Sequence, residues 1–250
     1  MTAFAVTPSL TAQAFSLEGK TILVTGASSG LGRQIALSCA QRGAHVIVTG
    51  RNAQRLQETF DLLTGSGHKQ VIAELTNAED RAHLVQAAGT ELHGIVHSAG
   101  RQKHVPIRQL SEPVMTQMYA DNFLAPVMLT QQLLATNAIA QQGSIIFLLS
   151  TAAHMGTRGI GPYSAMKAAL LGIIKCLALE QAKRKIRVNG ISPSAVVTPM
   201  WDPAQLQAQQ ARHPLGLGTP EDVANATIYL LADASRWVTG TTLVMNGAAT

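Results

Sequence analysis

The stretch Thr21-Ile22-Leu23-Val24-Thr25-Gly26-Ala27-Ser28-Ser29-Gly30-Leu31-Gly32 decides the fold. Thr21 to Val24 is short, apolar and β-rich, and an amphipathic helix carrying Ile35, Ala36, Leu37 and Ala40 follows as far as Gly43. Between them lies a turn with glycine at 26, 30 and 32. Glycine has no Cβ, so the backbone N–H groups of such a turn and the amino end of its helix can approach a diphosphate closely. The same glycines would serve equally in a tight turn that holds nothing. The strand before them and the helix after them give them meaning. Gly26, Ser28, Ser29, Gly30, Leu31 and Gly32 are therefore the expected cradle of a dinucleotide site.

The alternation continues down the chain. A second strand, 44–48, ends in Thr49-Gly50-Arg51-Asn52. In a dinucleotide fold an acid at this place accepts from both ribose hydroxyls. Here Gly50 is followed by Arg51, whose guanidinium can pair with a 2′-phosphate, so NADP(H) is expected in preference to NAD(H). A helix over 53–63, a strand over 70–73 closed by Glu74-Leu75, a short helix over 79–88 and a strand over 94–97 come next. Ser98-Ala99-Gly100 ends that strand with residues small enough to form a wall against a flat cofactor. A long helical region, 111–135, contains Asp121-Asn122, and an apolar strand, 144–149, runs into Ser150. A helix over 163–182, a strand over 187–191, a helix over 220–231 and a last strand over 243–245 complete the chain. Six or seven apolar strands alternating with helices predict an α/β, Rossmann-like doubly wound parallel sheet with helices on both faces and right-handed crossovers. Without repeats, low-complexity tracts or linkers, residues 15–250 are expected as a single domain behind a flexible tail, 1–14.

Composition excludes several classes. With 250 residues, 46% hydrophobic and 13% charged, the chain has enough apolar mass for a large core. Its mean hydropathy of +0.15 suggests surface lost to packing between subunits. The net charge is +5, and the densest basic run is Lys183-Arg184-Lys185-Ile186-Arg187. No aromatic residue interleaves it, so it reads as a solvated helix end and nucleic acid is not an expected partner. Cys39 and Cys176 lie in apolar helical runs without metal-ligand spacing, and both are expected as free core thiols of a cytoplasmic protein. Residues 1–14 lack the basic start and apolar core of a secretion signal, and no run of 18 apolar residues occurs, so no membrane association is expected.

Tyr163 and Lys167 are one helical turn apart on one face. A phenol titrates near pH ~10, and a neighbouring ammonium favours its ionised form, moving the tyrosine toward proton exchange with an alcohol or carbonyl. Taken with the cradle, Ser98 to Gly100, Asn122 and Ser150, thirteen residues before Tyr163, the pair completes an ordered set of five motifs. From Leu17 onward the chain resembles the short-chain dehydrogenases/reductases. Pro220-Glu221-Asp222-Val223-Ala224 and Val238-Thr239-Gly240 resemble that family too. The resemblance implies Tyr163 as general acid in carbonyl reduction and base in the reverse direction, with Ser150 holding the substrate oxygen beside it. It implies Lys167 on the nicotinamide ribose and lowering the tyrosine pKa, Asn122 holding a water that links Lys167 to solvent, and Thr198 on the carboxamide. No metal is implied.

Three positions depart from the family pattern. Glu74 stands where Asp is usual, Ser98 replaces the Asn of Asn-Ala-Gly, and Pro193-Ser194 replaces Pro-Gly. These bear on cofactor affinity more than on reaction type. The substrate side is expected from 151–162 and 199–216, with Met155, Ile160, Met200 and Trp201 as apolar surface and 199–216 as a mobile lid. Within the family the nearest likeness is to 3-oxoacyl-carrier-protein reductases. Arg184 falls where these carry a basic residue facing the acyl carrier protein, although a second such position is Gln141. The expected partners are a small carbonyl or alcohol, with a 3-oxoacyl thioester as one candidate, and further copies of the chain. A homotetramer is expected because Phe123, Leu124, Val127, Met128 and Leu129 on one helix, and Leu170, Leu171, Ile173, Ile174, Leu177 and Leu179 on another, exceed one apolar face. The alternative is a regulatory protein that binds NADPH and has lost catalysis. The intact Asn122, Ser150, Tyr163 and Lys167 argue against it.

Overall fold

Short runs of Val, Ile and Leu form strands buried on both faces, as a parallel sheet requires. The computed structural model describes residues 13–199 and 203–249. Its strands are β1 (Thr21–Thr25), β2 (His45–Gly50), β3 (Lys69–Ile72), β4 (Leu92–His97), β5 (Ile139–Leu148), β6 (Arg187–Pro193) and β7 (Thr242–Met245). The helices between them are α1 (Gly30–Gln41), α2 (Ala53–Phe60), α3 (Ala78–Ala88), α4 (Glu112–Tyr119), α5 (Ala125–Ala135), α6 (Gly161–Glu180), α7 (Pro203–Gln210) and α8 (Pro220–Leu231). All strand pairs are parallel, in the order β3-β2-β1-β4-β5-β6-β7. The expected doubly wound, Rossmann-like sheet is therefore present. Strand order reverses between β1 and β4, and the carboxyl ends of those strands open the crevice where such folds bind ligands.

Two cores flank the sheet. On one face α1 and α8 bury Ile35, Ala36, Cys39, Val223 and Ile228 against Ile22, Val24 and Val46. On the other, α3, α5 and α6 bury Leu84, Leu129, Leu133, Leu170 and Ile174 against Leu23, Ile95, Ile145 and Phe147. The helix N-termini are specified locally. Asn52 accepts from Arg55 N, Asn77 accepts from Glu79 N and Asp80 N, and Thr219 with Asp222 forms a reciprocal capping box before α8.

Several expectations are corrected. The region 111–135 is helical throughout, but a π-helical turn, Ala120–Leu124, separates α4 from α5 and contains Asn122. β5 starts at Ile139, five residues before the predicted start, because a register shift opposite Leu92/Gly94 absorbs Gln142, at φ 63°, and Gly143. Cys39 is buried, but Cys176 is exposed on the outer face of α6, not in the core. Arg187 is no solvated helix end. It is 8% exposed, and its guanidinium donates to Ser235 Oγ at 2.7 Å and Ala232 O at 3.4 Å. The predicted lid contains a helix, α7. Met200, Trp201 and residues 1–12 of the predicted tail lie outside the described residues. Ala14, placed in that tail by sequence, accepts a hydrogen bond from Ala234 N at 2.9 Å.

α6 is, among the described helices, long and apolar enough to cross a membrane by length and composition, with hydropathy 1.3. Leu170 and Ile174 on one side of it pack into the sheet core, while Leu179 on the other is 81% exposed.

At the switch point one hydroxyl joins the two central strands. Thr25 Oγ1 donates to Val96 O and accepts from Ser98 N at 3.0 Å and Ala99 N at 3.1 Å, all on a fully buried side chain. Thr25→Val keeps the shape, leaves Ala99 N–H without its acceptor, and leaves Ser98 N–H only its backbone bond to Val96 O at 3.1 Å. It should cost about 1–3 kcal/mol, read as a lower urea midpoint with an unchanged slope.

Candidate active site

The carboxyl ends of β1, β4, β5 and β6 surround a cleft of ≈ 530 Å³. Its floor is the glycine turn. Gly26 sits at φ +65°, and a Cβ there would lie 2.8 Å from Ala99 Cα. A Cβ on Gly32 would lie 2.4 Å from Gly26 O, so the helix can start this close to the strand only with glycine there. Ser29, the N-cap of α1, makes no side-chain cap bond, and the first turn of α1 carries no acid. The amino end of the helix thus remains open toward the cleft, suited to a phosphate.

Of the residues singled out from the sequence, Gly26, Ser29 to Gly32, Arg51, Glu74, Leu75, Ser98 to Gly100, Ser150, Tyr163, Pro193 and Thr198 all line this one cleft. Three predicted residues stand outside the lining. Ser28 lies behind the turn, its carbonyl accepting from Arg33 Nη2 and its Oγ 3.3 Å from where a Cβ on Gly50 would be. Asn122 and Lys167 are buried, at 0% and 5% exposure, behind Gly100. A Cβ on Gly100 would sit 2.8 Å from Asn122 Oδ1 and 3.6 Å from Lys167 Nζ, so the small residue there lets the amide and the ammonium reach the back of the wall.

The Asn122 side chain is committed to backbone. Its Nδ2 donates to Arg101 O at 2.9 Å and Met118 O at 3.1 Å, and its Oδ1 accepts from Arg101 N at 3.0 Å. It therefore clamps the turn after Gly100. Lys167 Nζ donates to Leu148 O at 2.7 Å and stands 5.6 Å from the Tyr163 ring centroid. Burial lowers the Lys167 pKa to about 8 and pushes Tyr163 up to about 12, with the Ser150 side chain pulling the tyrosine the other way. The phenol therefore does not stand below its ordinary value as expected from the neighbouring ammonium: burial of the phenolate is the leading cause of its shift and the Ser150 side chain the opposing one. At neutral pH Tyr163 holds its proton and can give it.

Other residues of the cleft were not found from sequence. Arg55 joins Arg51 at the adenosine end, four positions on, and that spacing was the available signal. Arg51 Nη1 lies 3.4 Å from Glu74 Oε2, a half-exposed pair, and Glu74 Oε1 accepts from Thr76. The longer acid at 74 thus reaches across to the guanidinium. Arg101, whose Nε is 3.1 Å from Asp121 Oδ2, also lines the cleft, beside Ser194, which the sequence marks as a departure after Pro193.

A family model for the enoyl-(acyl carrier protein) reductases matches residues 26–250. The dehydrogenase subunit BbsD of Thauera aromatica, named for a hydroxy(phenyl)methylsuccinyl-CoA, is 31% identical over 92% of this chain and 96% of its own. The chain belongs to the short-chain dehydrogenase/reductase family. The 3-oxoacyl-acyl-carrier-protein reductase FabG of Vibrio cholerae is 33% identical over 93% of this chain and 98% of its own. Among solved structures, a dehydrogenase/reductase from Sinorhizobium meliloti superposes with a TM-score of 0.89 at 32% identity, covering 96% of this chain and 98% of that one. A 7α-hydroxysteroid dehydrogenase complexed with NADH and a 7-oxo bile acid gives 0.88 at 27% identity, with coverage of 96% and 98%. The family consists of oxidoreductases that bind nicotinamide cofactors, and the glycine cradle of this chain fits such a group: without a Cβ at Gly26 and Gly32 the turn closes against Ala99, and the uncapped amino end of α1 is left for a diphosphate.

Proposed function

We propose that the chain is an NADP(H)-dependent oxidoreductase interconverting a carbonyl and an alcohol. The observation that carries this reading is the meeting of Ser150 and Tyr163 in a cleft whose opposite wall is the glycine cradle, with Lys167 buried behind them. The nicotinamide, when bound, supplies or accepts the hydride. Ser150 Oγ holds the substrate oxygen and steadies its developing charge, and Tyr163 Oη gives that oxygen a proton. Lys167, fixed by Leu148 O, orients the site from behind. A pKa above the ordinary phenol value keeps Tyr163 protonated and suits reduction. Arg51 and Arg55 face the adenosine end against the single carboxylate of Glu74, an excess of positive charge that supports a 2′-phosphate. Among substrates we infer a 3-oxoacyl thioester, on the likeness to the Vibrio cholerae reductase. Arg184, offered by sequence to an acyl carrier protein, is turned onto Ile139 O and lends that partner no support. We also infer a homo-oligomer, since the outer face of α6 exposes Leu179, with Leu171, Ile173 and Leu177 only half-buried.

Tyr163→Phe should lower the rate of carbonyl reduction by about two to four orders of magnitude while NADPH affinity stays near wild type. Retained turnover would overturn the role of the tyrosine. In the wild type the reduction rate should fall as pH rises through about 8: Tyr163 still holds its proton there, but Lys167 loses the positive charge that favours the phenolate left when that proton is given. A rate flat from pH 7 to 10 would contradict this.

Arg51→Asp should raise the NADPH Kd by roughly tenfold to a hundredfold, the scale of one charge-assisted bond lost, and leave the NADH Kd unchanged or lower. Equal wild-type affinity for the two cofactors would refute the preference. Light scattering at micromolar concentration should give a multiple of the 26.4 kDa chain mass, reduced by Leu179→Lys. A wild-type mass of one chain would exclude the oligomer.

A further inference from the structure

Between Pro203 and Gly216 one side chain is buried, that of His213, at 4% exposure. α7 buries none of its own. Both ring nitrogens of His213 are engaged: Nδ1 lies 2.7 Å from Gln209 O and Nε2 lies 2.9 Å from Ser194 Oγ. Gln209 O is a carbonyl and only accepts, so Nδ1 carries a proton and donates to it. In the neutral ring Nε2 then accepts from the Ser194 hydroxyl. Ser194 belongs to the cleft wall, directly after β6, and its own N–H donates to Met245 O at 2.9 Å, which fixes it to the end of β7. One imidazole thus links the last turn of α7 to the wall of the site. The chain after it is held as well, with Gly216 N donating to His213 O and Leu215 N to Gly247 O.

We propose that His213 is a positioning residue, coupling segment 203–216 to the cleft wall through Ser194 and thereby setting how firmly the cleft retains its cofactor. The second part rests on the nicotinamide reading above; the first does not. The imidazole bridge is a buried hydrogen bond on a segment whose helix α7 buries no side chain of its own, so its loss shows locally and not as global unfolding.

The test is hydrogen exchange on the full chain without cofactor, followed by NADPH titration. His213→Ala and Ser194→Ala should each speed exchange of the amides between 206 and 216 by roughly three- to tenfold, with the thermal midpoint unchanged. The double variant should add nothing to either single one, because both remove the same bond. His213→Gln, whose amide can reach Ser194 Oγ, should restore the protection. The NADPH Kd should rise in the two alanine variants by a similar factor and recover in His213→Gln. Unchanged exchange in both alanine variants, or additive effects in the double one, would overturn the coupling. If His213→Ala fails to fold, Ser194→Ala, which deletes one oxygen, decides the matter. A wild type that does not bind NADPH would defeat the cofactor reading, while the exchange data would still decide whether His213 couples the segment.

Discussion

The hydroxyl of Thr25 is the point on which the site geometry depends. β1 and β4 are paired as far as Val24 and Val96, and beyond that point, at the switch between them, the chain departs in opposite directions from neighbouring strands. Thr25 Oγ1 bridges that divergence by binding Val96 O, Ser98 N and Ala99 N together. With the two ends held, Gly26 and Ala99 come into contact so close that any side chain at 26 would strike backbone. The cradle, the small-residue wall and the start of α1 are all placed by this one junction. Its side chain is wholly buried, so the bonds meet no competition from water.

Burial also decides the chemistry of the catalytic face. Tyr163 and Lys167 are both displaced toward their uncharged forms, one upward and one downward, and in each case desolvation is the leading cause. His97, stacked on Phe147 at 4.7 Å and bonded to Thr130 Oγ1, follows the same rule: burial, aided by the charge of Lys167, takes its pKa down to about 3 and keeps the ring neutral. At neutral pH Tyr163 therefore holds its proton, and the His97 ring stays neutral.

What could be read from the sequence follows from how local each signal is. The strands and the cradle were legible because apolar runs and turn glycines carry their meaning within a dozen residues. The start of β5 was not, because Gln142 in the left-handed region breaks the strand pattern while the chain keeps its place beside β4. Tyr163 was singled out by its spacing from Lys167 and Ser150 by the family resemblance, yet the direction of the tyrosine pKa needed the packing around it. Arg55, Arg101 and Asp121 escaped because they converge from separate elements: each lies within four residues of a predicted site residue, but only the fold turns it into the same cleft. Periodicity showed that α6 is apolar on several sides. Only the three-dimensional arrangement showed which of those sides, with Cys176 and Leu179, faces outward.

The π-helical turn at Ala120–Leu124 has a consequence for how this chain can vary in length. Such a turn is in effect a helix with one residue too many, held in register by its surroundings. Asn122 occupies it and ties Met118 O to the Gly100–Arg101 turn. Removing a single residue here would rewind the helix and rotate everything before it by about 100°, carrying the buried Met118 away from the core while Asn122 lost its partners. Substitutions on the outer side of α4 and α5 leave that count intact. The segment behaves as a vernier: tolerant of what its residues are, intolerant of how many there are.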